Sequence, residues 1–222
     1  MLSDSQKMSF SILIADDHAV VRHGISLLLQ EVMPTVEVAQ AWDYDSLMEA
    51  LDRKRMDLVI CDINMPGCDS FHVIDDMRTI QADVKILIFS AYREDLYAPR
   101  YMQAGADGFL HKDSENDQIW KAITTVLNNG KYISEAIKER LINKALSTNR
   151  QTSENPLELL SQREMEVARL LLQGLGLLEI SNTLKLHIAT VSTYKKRIYE
   201  KVQISNLPEL IAVFKNHSGS GS

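Results

Sequence analysis

Between Phe10 and Gly130, five short apolar runs alternate with five stretches of helical period, and this alternation limits the fold more than any other feature. The runs are Ser11 to Ala15, Val36 to Ala41, Asp57 to Asp62, Lys85 to Ser90 and Asp107 to His111. The first amphipathic stretch follows Asp16-Asp17 and carries Val21, Ile25, Leu28 and Leu29 at helical spacing. Helices are then predicted over Asp43 to Arg53, Ser70 to Ile80, Glu94 to Ala104 and Glu115 to Asn128, the last stopped by Asn129-Gly130. In the Ser70 stretch, Phe71, Ile74, Met77 and Ile80 share roughly one face. Apolar runs without alternation read as strands buried on both faces, so the repeat predicts an α/β unit with a parallel sheet between two helical layers.

The third run, Leu58-Val59-Ile60-Cys61, ends on Asp62 and breaks at Pro66-Gly67. In an open parallel sheet, chemistry gathers at the carboxyl ends of the strands. Asp62 alone could be a strand-end cap or a chemical group. Asp16 and Asp17 close the first run, Ser90 closes the fourth, and Lys112 follows the fifth. Three carboxylates at adjacent strand ends repel one another unless a cation is present. Mg²⁺ meets that need, because it takes carboxylate and carbonyl oxygens and leaves room for water and phosphate. A carboxylate beside such a cation can act as a nucleophile toward phosphorus, giving an acyl phosphate. Lys112 could neutralise the phosphoryl group and Ser90 could hydrogen-bond to it.

The formal charge of −6 is uneven: Met1 to Ile133 carries −9 and Pro156 to Ser222 carries +2. This points to two parts with different partners. Cys61 and Cys68 lack CxxC spacing and the six histidines lack ligand spacing, which argues for reduced structural thiols, a cytoplasmic location and no zinc site. No apolar stretch approaches a membrane span, and the polar start gives no secretory signal.

From Ser134 onward the strand signal stops. Glu135 to Leu146 is a possible helix, and Ser147 to Pro156 reads as a polar linker. Helices are predicted over Leu159 to Gln173, Leu178 to Leu184, Ile188 to Val202 and Asn206 to Asn216, with Ser161 and Glu164 spaced as a capping box. The Gly/Ser end, 218–222, is set aside as a flexible tail. Leu178 to Arg197 has the form of a helix-turn-helix. On the longer helix Val191, Ile198 and Val202 share an apolar face, with Ser192, Thr193, Lys196, Arg197 and Glu200 toward the other side. Such a helix suits docking in a DNA major groove.

Asp16-Asp17, Asp62 with Met65-Pro66-Gly67, Ser90-Ala91, and Gly105 to Asp113 (GADGFLHKD) together resemble the receiver domain of two-component response regulators. The resemblance covers 10–130 and implies a flavodoxin-like (βα)5 fold with strand order 2-1-3-4-5. It further implies phosphorylation of Asp62, and Mg²⁺ held by Asp17, Asp62 and the Asn64 backbone carbonyl, with Asp16 acting through water. Ser90 and Phe109 would be the switch pair, and Lys112 would bind the phosphoryl group. His111, before that lysine, replaces the more usual apolar residue.

Leu160 to Glu164, Val167, Gly174, Glu179-Ile180, Thr190-Val191 and Lys201-Val202 resemble the LuxR/NarL-type DNA-binding domain. This covers 156–217 and implies a small all-α four-helix unit, joined to the receiver through 131–155. By that likeness Ser192, Thr193 and Lys196 reach bases or nearby phosphates and Arg197 adds a phosphate contact. His187 stands where a small cap is usual, and Ser192 where a lysine is frequent.

The two resemblances together imply a non-enzymatic, phosphorylation-controlled transcription regulator. Its partners would be a sensor histidine kinase or small phosphodonor, promoter DNA and, when phosphorylated, a second copy of itself. Inverted half-sites would lie about one helical turn apart, roughly 34–36 Å. Two rivals are a phosphorylation-independent interaction module and a Mg²⁺-dependent phosphohydrolase. Against the latter, Asn64 stands two residues after Asp62, where such hydrolases carry an acid.

Overall fold

The alternation of buried runs and amphipathic helices produces one parallel sheet. A computed structural model of the chain describes residues 10–68, 72–146 and 155–217. Strands β1 (Ser11–Ala15), β2 (Glu37–Ala41), β3 (Leu58–Cys61), β4 (Lys85–Ser90) and β5 (Gly108–His111) lie in the order β2-β1-β3-β4-β5, all pairs parallel. The order matches the one implied by the resemblance, and β1 and β4 have the predicted limits.

The helices are α1 (Ala19–Val32), α2 (Tyr44–Arg53), α3 (Val73–Ile80), α4 (Glu94–Gln103) and α5 (Asn116–Leu127). Alternate strand residues Ile12, Ile14, Leu58, Ile60, Leu87 and Phe89 pack with Ile25 and Leu29 of α1 and Ile119, Ile123 and Val126 of α5. By the period of two, Leu13, Val59, Ile88 and Phe109 face the opposite side, where α2 meets β2 and α3, and α4 meets β5. All of these strand residues are buried, which is why the strands read as unbroken apolar runs.

The ends of the elements differ by a residue or two for local reasons. Asp57 lies before β3, and its carboxylate accepts the Ser11 N–H at 2.8 Å. Asp62 lies just past β3, although its N–H still bonds the Ala15 carbonyl at 2.7 Å. Asp43 is the N-cap of α2, not its first residue, and shares a reciprocal capping box with Ser46. Ser70 and Phe71, expected in the third helix, lie outside the described residues. Helix α4 continues through Pro99, which lacks the N–H for an i−4 bond. The turn after β3 needs Gly67. Its φ is +81°, and a Cβ there would stand 2.7 Å from Tyr44 Cβ.

Helix α6 (Glu135–Leu146) follows, and the expected polar linker falls largely outside the described residues. The chain divides into the sheet unit and a second unit that begins near Glu139. The second unit holds a 3-10 turn (Pro156–Leu159) and helices α7 (Gln162–Leu172), α8 (Leu177–Thr183), α9 (Ile188–Val202) and α10 (Leu207–His217). The predicted helix at Leu159 begins three residues later because two caps act in series. Asn155 Oδ1 accepts the Leu157 N–H at 3.1 Å and stops as a 3-10 turn, and Ser161 then starts α7. Ser161 Oγ accepts the Glu164 N–H, and Glu164 Oε2 accepts the Ser161 N–H. The core of this unit includes Leu157, Met165, Leu170, Ile180, Val191, Ile198 and Leu210. No helix among the described residues is long and apolar enough to cross a membrane.

Candidate functional site

Because all five strands point the same way, the loops after β1, β3, β4 and β5 meet at one edge of the sheet. Asp16 continues β1 by donating its N–H to the Ala41 carbonyl at 3.1 Å, and its side chain is almost fully buried. Asp62 is equally buried. Asp16, Asp17, His18 and Asp62 each offer one ligand atom within 4.8 Å of the others. The three carboxylates predicted from the strand ends are therefore brought together, and His18 joins them.

Lys112 crosses from the end of β5 and places Nζ 2.6 Å from Asp16 Oδ2 and 2.7 Å from Asp62 Oδ2. Burial would pull the lysine down, but the two carboxylates outweigh it and hold its pKa above the usual value. Asp62 moves the other way from most paired acids. Burial raises its pKa, Lys112 and the Asn64 N–H oppose that, and Asp16 adds repulsion, leaving a net rise. Asp62 Oδ1 accepts the Asn64 N–H at 3.0 Å. Asp16 Oδ2 meets the Lys112 ammonium and no other polar group among the described residues. One ammonium thus faces two buried carboxylates, with Asp17 beside them, so negative charge remains in excess. Hard carboxylate oxygens with an unfilled lone pair are the donor set that suits a divalent cation such as Mg²⁺.

His18, not singled out in the sequence, closes one side of this cluster. Its Nδ1 lies 2.7 Å from Asp17 Oδ1 and 3.2 Å from Asp16 Oδ1, and its N–H donates to Asp16 Oδ1 at 2.8 Å. Arg22 holds the Asp16 carbonyl at 2.6 Å from the first turns of α1. Tyr92 was also missed. Its N–H donates to Ser90 Oγ at 3.2 Å and its hydroxyl donates to Asn64 Oδ1 at 2.9 Å. One side chain thus links the loops after β3 and β4, while its ring stacks on Tyr97 with centroids 4.9 Å apart. Adjacency to Asp17, and the position two after Ser90, were the only sequence signals for these two residues.

Ser90 is fully buried at the end of β4, opposite His111 in the ladder. Phe109 is also fully buried, tilted against Tyr101 with centroids 6.3 Å apart. The structure also accounts for His111. Its Nδ1 accepts the Asp113 N–H at 3.2 Å, which assigns the proton to Nε2, and Nε2 donates to the Ala91 carbonyl at 3.1 Å. An apolar residue could make neither bond.

In the second unit, Ser192, Thr193, Lys196, Arg197 and Glu200 of α9 are exposed, whereas Val191, Ile198 and Val202 are buried. Lys195 is half-buried with its ammonium 5.5 Å from the centre of the Tyr199 ring, so its stem packs while its charge stays near the surface. His187 caps α9, its Nδ1 accepting the Ala189 N–H at 3.3 Å, as a small hydroxyl would. Lys201 anchors the other end of α9 to α7 through Glu164 Oε2 at 2.6 Å. Burial works to raise the Glu164 pKa, but Lys201 and Ser161 bring it below the usual value.

Comparison with known proteins places both units. The family model described as "Response regulator receiver domain" matches residues 12–124, and "Bacterial regulatory proteins, luxR family" matches residues 158–214. Fimbriae Z protein of Escherichia coli K12 is 34% identical over 201 residues, spanning 90% of this chain and 94% of the relative. Response regulator GacA of Pseudomonas aeruginosa is 31% identical over 206 residues, spanning 93% and 95%. Among solved structures, RcsB of Salmonella enterica serovar Typhimurium bound to promoter rprA matches with TM-score 0.77 and 22% identity, over 93% of this chain and 98% of that one.

Proposed function

The chain belongs to the two-component response regulators that join a receiver to a LuxR-type DNA-binding domain, and from that premise we propose that Asp62 is its phosphoryl acceptor and α9 its DNA-reading helix. The protein is a phosphorylation-controlled DNA-binding transcription regulator. The observation that carries the assignment is the pairing of a buried carboxylate with a lysine held at 2.7 Å, beside two further acids.

An Asp62 carboxylate oxygen attacks phosphorus as the bond from phosphorus to the donor's nitrogen or oxygen breaks, and the donor leaves with that electron pair. The product is an acyl phosphate. Lys112 already lies against the nucleophile, so its ammonium can follow charge onto the transferred phosphoryl oxygens. A divalent cation such as Mg²⁺ would be held by Asp17, Asp62 and the Asn64 carbonyl, with Asp16 acting through water, and would supply the remaining charge neutralisation. The phosphoryl group adds nearly two negative charges and three acceptors next to Ser90. Ser90 would give up its bond from the Tyr92 N–H to donate to it, and Phe109 would take up the space released. That is a local charge event biasing a two-state element.

The donor would be a sensor histidine kinase or a small acyl or amido phosphate. The working form on DNA would be a homodimer in the cytoplasm. The chain acts as a switch: Asn64, not an acid, stands near the nucleophile, so no side chain at that position is suited to turnover on phosphate esters. Incubation with acetyl phosphate and Mg²⁺ tests the assignment. Wild type should gain one hydroxylamine-labile phosphoryl group by intact mass and Asp62→Asn none; equal incorporation by the variant would overturn it.

A further inference from the structure

The first two turns of α9 present an unusual surface for a helix that reads DNA. Ile188, its first residue, is 43% exposed although it is a large aliphatic side chain. Ala189 beside it is exposed, as are Ser192 and Thr193 one turn on. The Thr193 hydroxyl donates to the Ala189 carbonyl at 2.9 Å. Its proton is therefore spent within the helix, which leaves the γ-methyl group and an acceptor lone pair on the oxygen. Charge enters from Lys195 onward, with Lys196, Arg197, Glu200 and Lys201 exposed. The half of α9 nearest its N-terminus thus shows methyl groups beside the single Ser192 hydroxyl, whereas the following turns show ions.

Side chains on a helix lean toward its N-terminus, so those of the first turns project past the helix end. Recognition helices of helix-turn-helix domains contact base edges with these N-terminal residues. In the major groove, the only apolar group on a base edge is the C5-methyl of thymine. Guanine and adenine are read best by bidentate side chains, and none stands in this half of the helix, where the Ser192 hydroxyl is the exposed donor. Resting on the DNA-binding reading above, we propose that Ile188, with the Thr193 γ-methyl, reads thymine methyl groups in each half-site. Lys196 and Arg197 then act beside this contact through bases or phosphates. The aliphatic residue at 188 is, on this account, a specificity determinant for thymine over cytosine and over uracil.

The test uses the full chain with acetyl phosphate and Mg²⁺, first to select duplexes from a random pool. Thymines of the selected duplex are then replaced one at a time by uracil, which deletes only the methyl group. For wild type, uracil at one or two positions of each half-site should weaken binding about fourfold per methyl lost. Ile188→Ser and Thr193→Ser, the latter keeping its hydroxyl, should each lose the penalty at one such position while still binding the duplex. Specific binding with uracil tolerated everywhere by wild type overturns the proposal. So does a uracil penalty of the same size in wild type and in both serine variants. Failure to enrich any sequence would instead strike at the DNA-binding assignment itself, and this inference would fall with it. Circular dichroism of both variants separates loss of contact from loss of fold.

Discussion

Replacing Lys112 by Met removes the ammonium and keeps most of the aliphatic stem, leaving Asp16 and Asp62 facing each other without it. Both carboxylates are 2% exposed and the lysine 14%, so solvent can do little to take its place. Removing one partner of a buried ion pair costs about 3–5 kcal/mol, because the remaining charge stays desolvated. The lower end, about 3 kcal/mol, applies here because Asp62 already has a raised pKa and can shed part of the cost by taking a proton. The deficit should shrink when Mg²⁺ is added, since the site without the competing ammonium binds a cation more tightly than wild type does and gains more stabilisation by mass action. Both tryptophans, Trp42 and Trp120, lie in the receiver, so urea unfolding followed by tryptophan fluorescence reports that unit alone. In chelator, Lys112→Met should unfold about 3 kcal/mol more easily than wild type; in excess Mg²⁺ the gap should fall to about 1 kcal/mol. A variant within about 0.5 kcal/mol of wild type in chelator would refute the view that Lys112 is the counter-ion of these acids.

The remaining expectations are independent of that pair. Asp107 accepts from the Ile86 N–H, Arg78 and Lys131, and although burial works to raise its pKa these partners hold it below the usual value. A lowered folded pKa adds stability that is complete above the unfolded value near 3.9 and lost as pH falls through the folded one. Asp107→Asn should therefore cost about 2 kcal/mol at pH 7, allowing for the exposed Lys131, with the difference from wild type closing below about pH 4. A gap that persists unchanged at pH 3 contradicts the assignment. Gly67→Ala forces a Cβ to within 2.7 Å of Tyr44 Cβ at a positive φ, and should cost about 1–3 kcal/mol in the same urea assay. Lys196→Ala, at an exposed position on α9, should lower the slope of log affinity against log salt by about one unit if it meets a phosphate. An unchanged slope assigns it to base contact or to none.

How much of this was legible in the sequence depended on whether the signal was local. Strands β1 and β4 have the predicted limits because every residue from Ile12 to Ala15 and from Ile86 to Ser90 is buried, so burial itself wrote the apolar run. The ends of β3 were misplaced by one residue on each side because Asp57 and Asp62 use their polar groups at the margins of the ladder. The start of α7 was misplaced because Asn155 and Ser161 cap in succession, and a helical period cannot distinguish a 3-10 turn from the first turn of an α-helix. At the acidic edge, Asp16, Asp17, Asp62 and Lys112 were readable from strand ends alone. Tyr92 was not, since its bond to Asn64 joins residues 28 apart that only the folded sheet makes neighbours. His111 was visible as a departure from the receiver pattern, but its purpose depended on the Ala91 carbonyl across the ladder.

The central claim is that a phosphoryl group on Asp62 governs the affinity of α9 for DNA. Its most direct test is the affinity of the full chain for a duplex selected by that chain, with and without acetyl phosphate and Mg²⁺, in wild type and Asp62→Asn at one salt concentration. A coupling of 1–3 kcal/mol corresponds to about 5–150-fold. Wild type should gain affinity within that range and Asp62→Asn should not respond. An affinity that ignores the phosphodonor, or an equal response from the variant, would contradict the account.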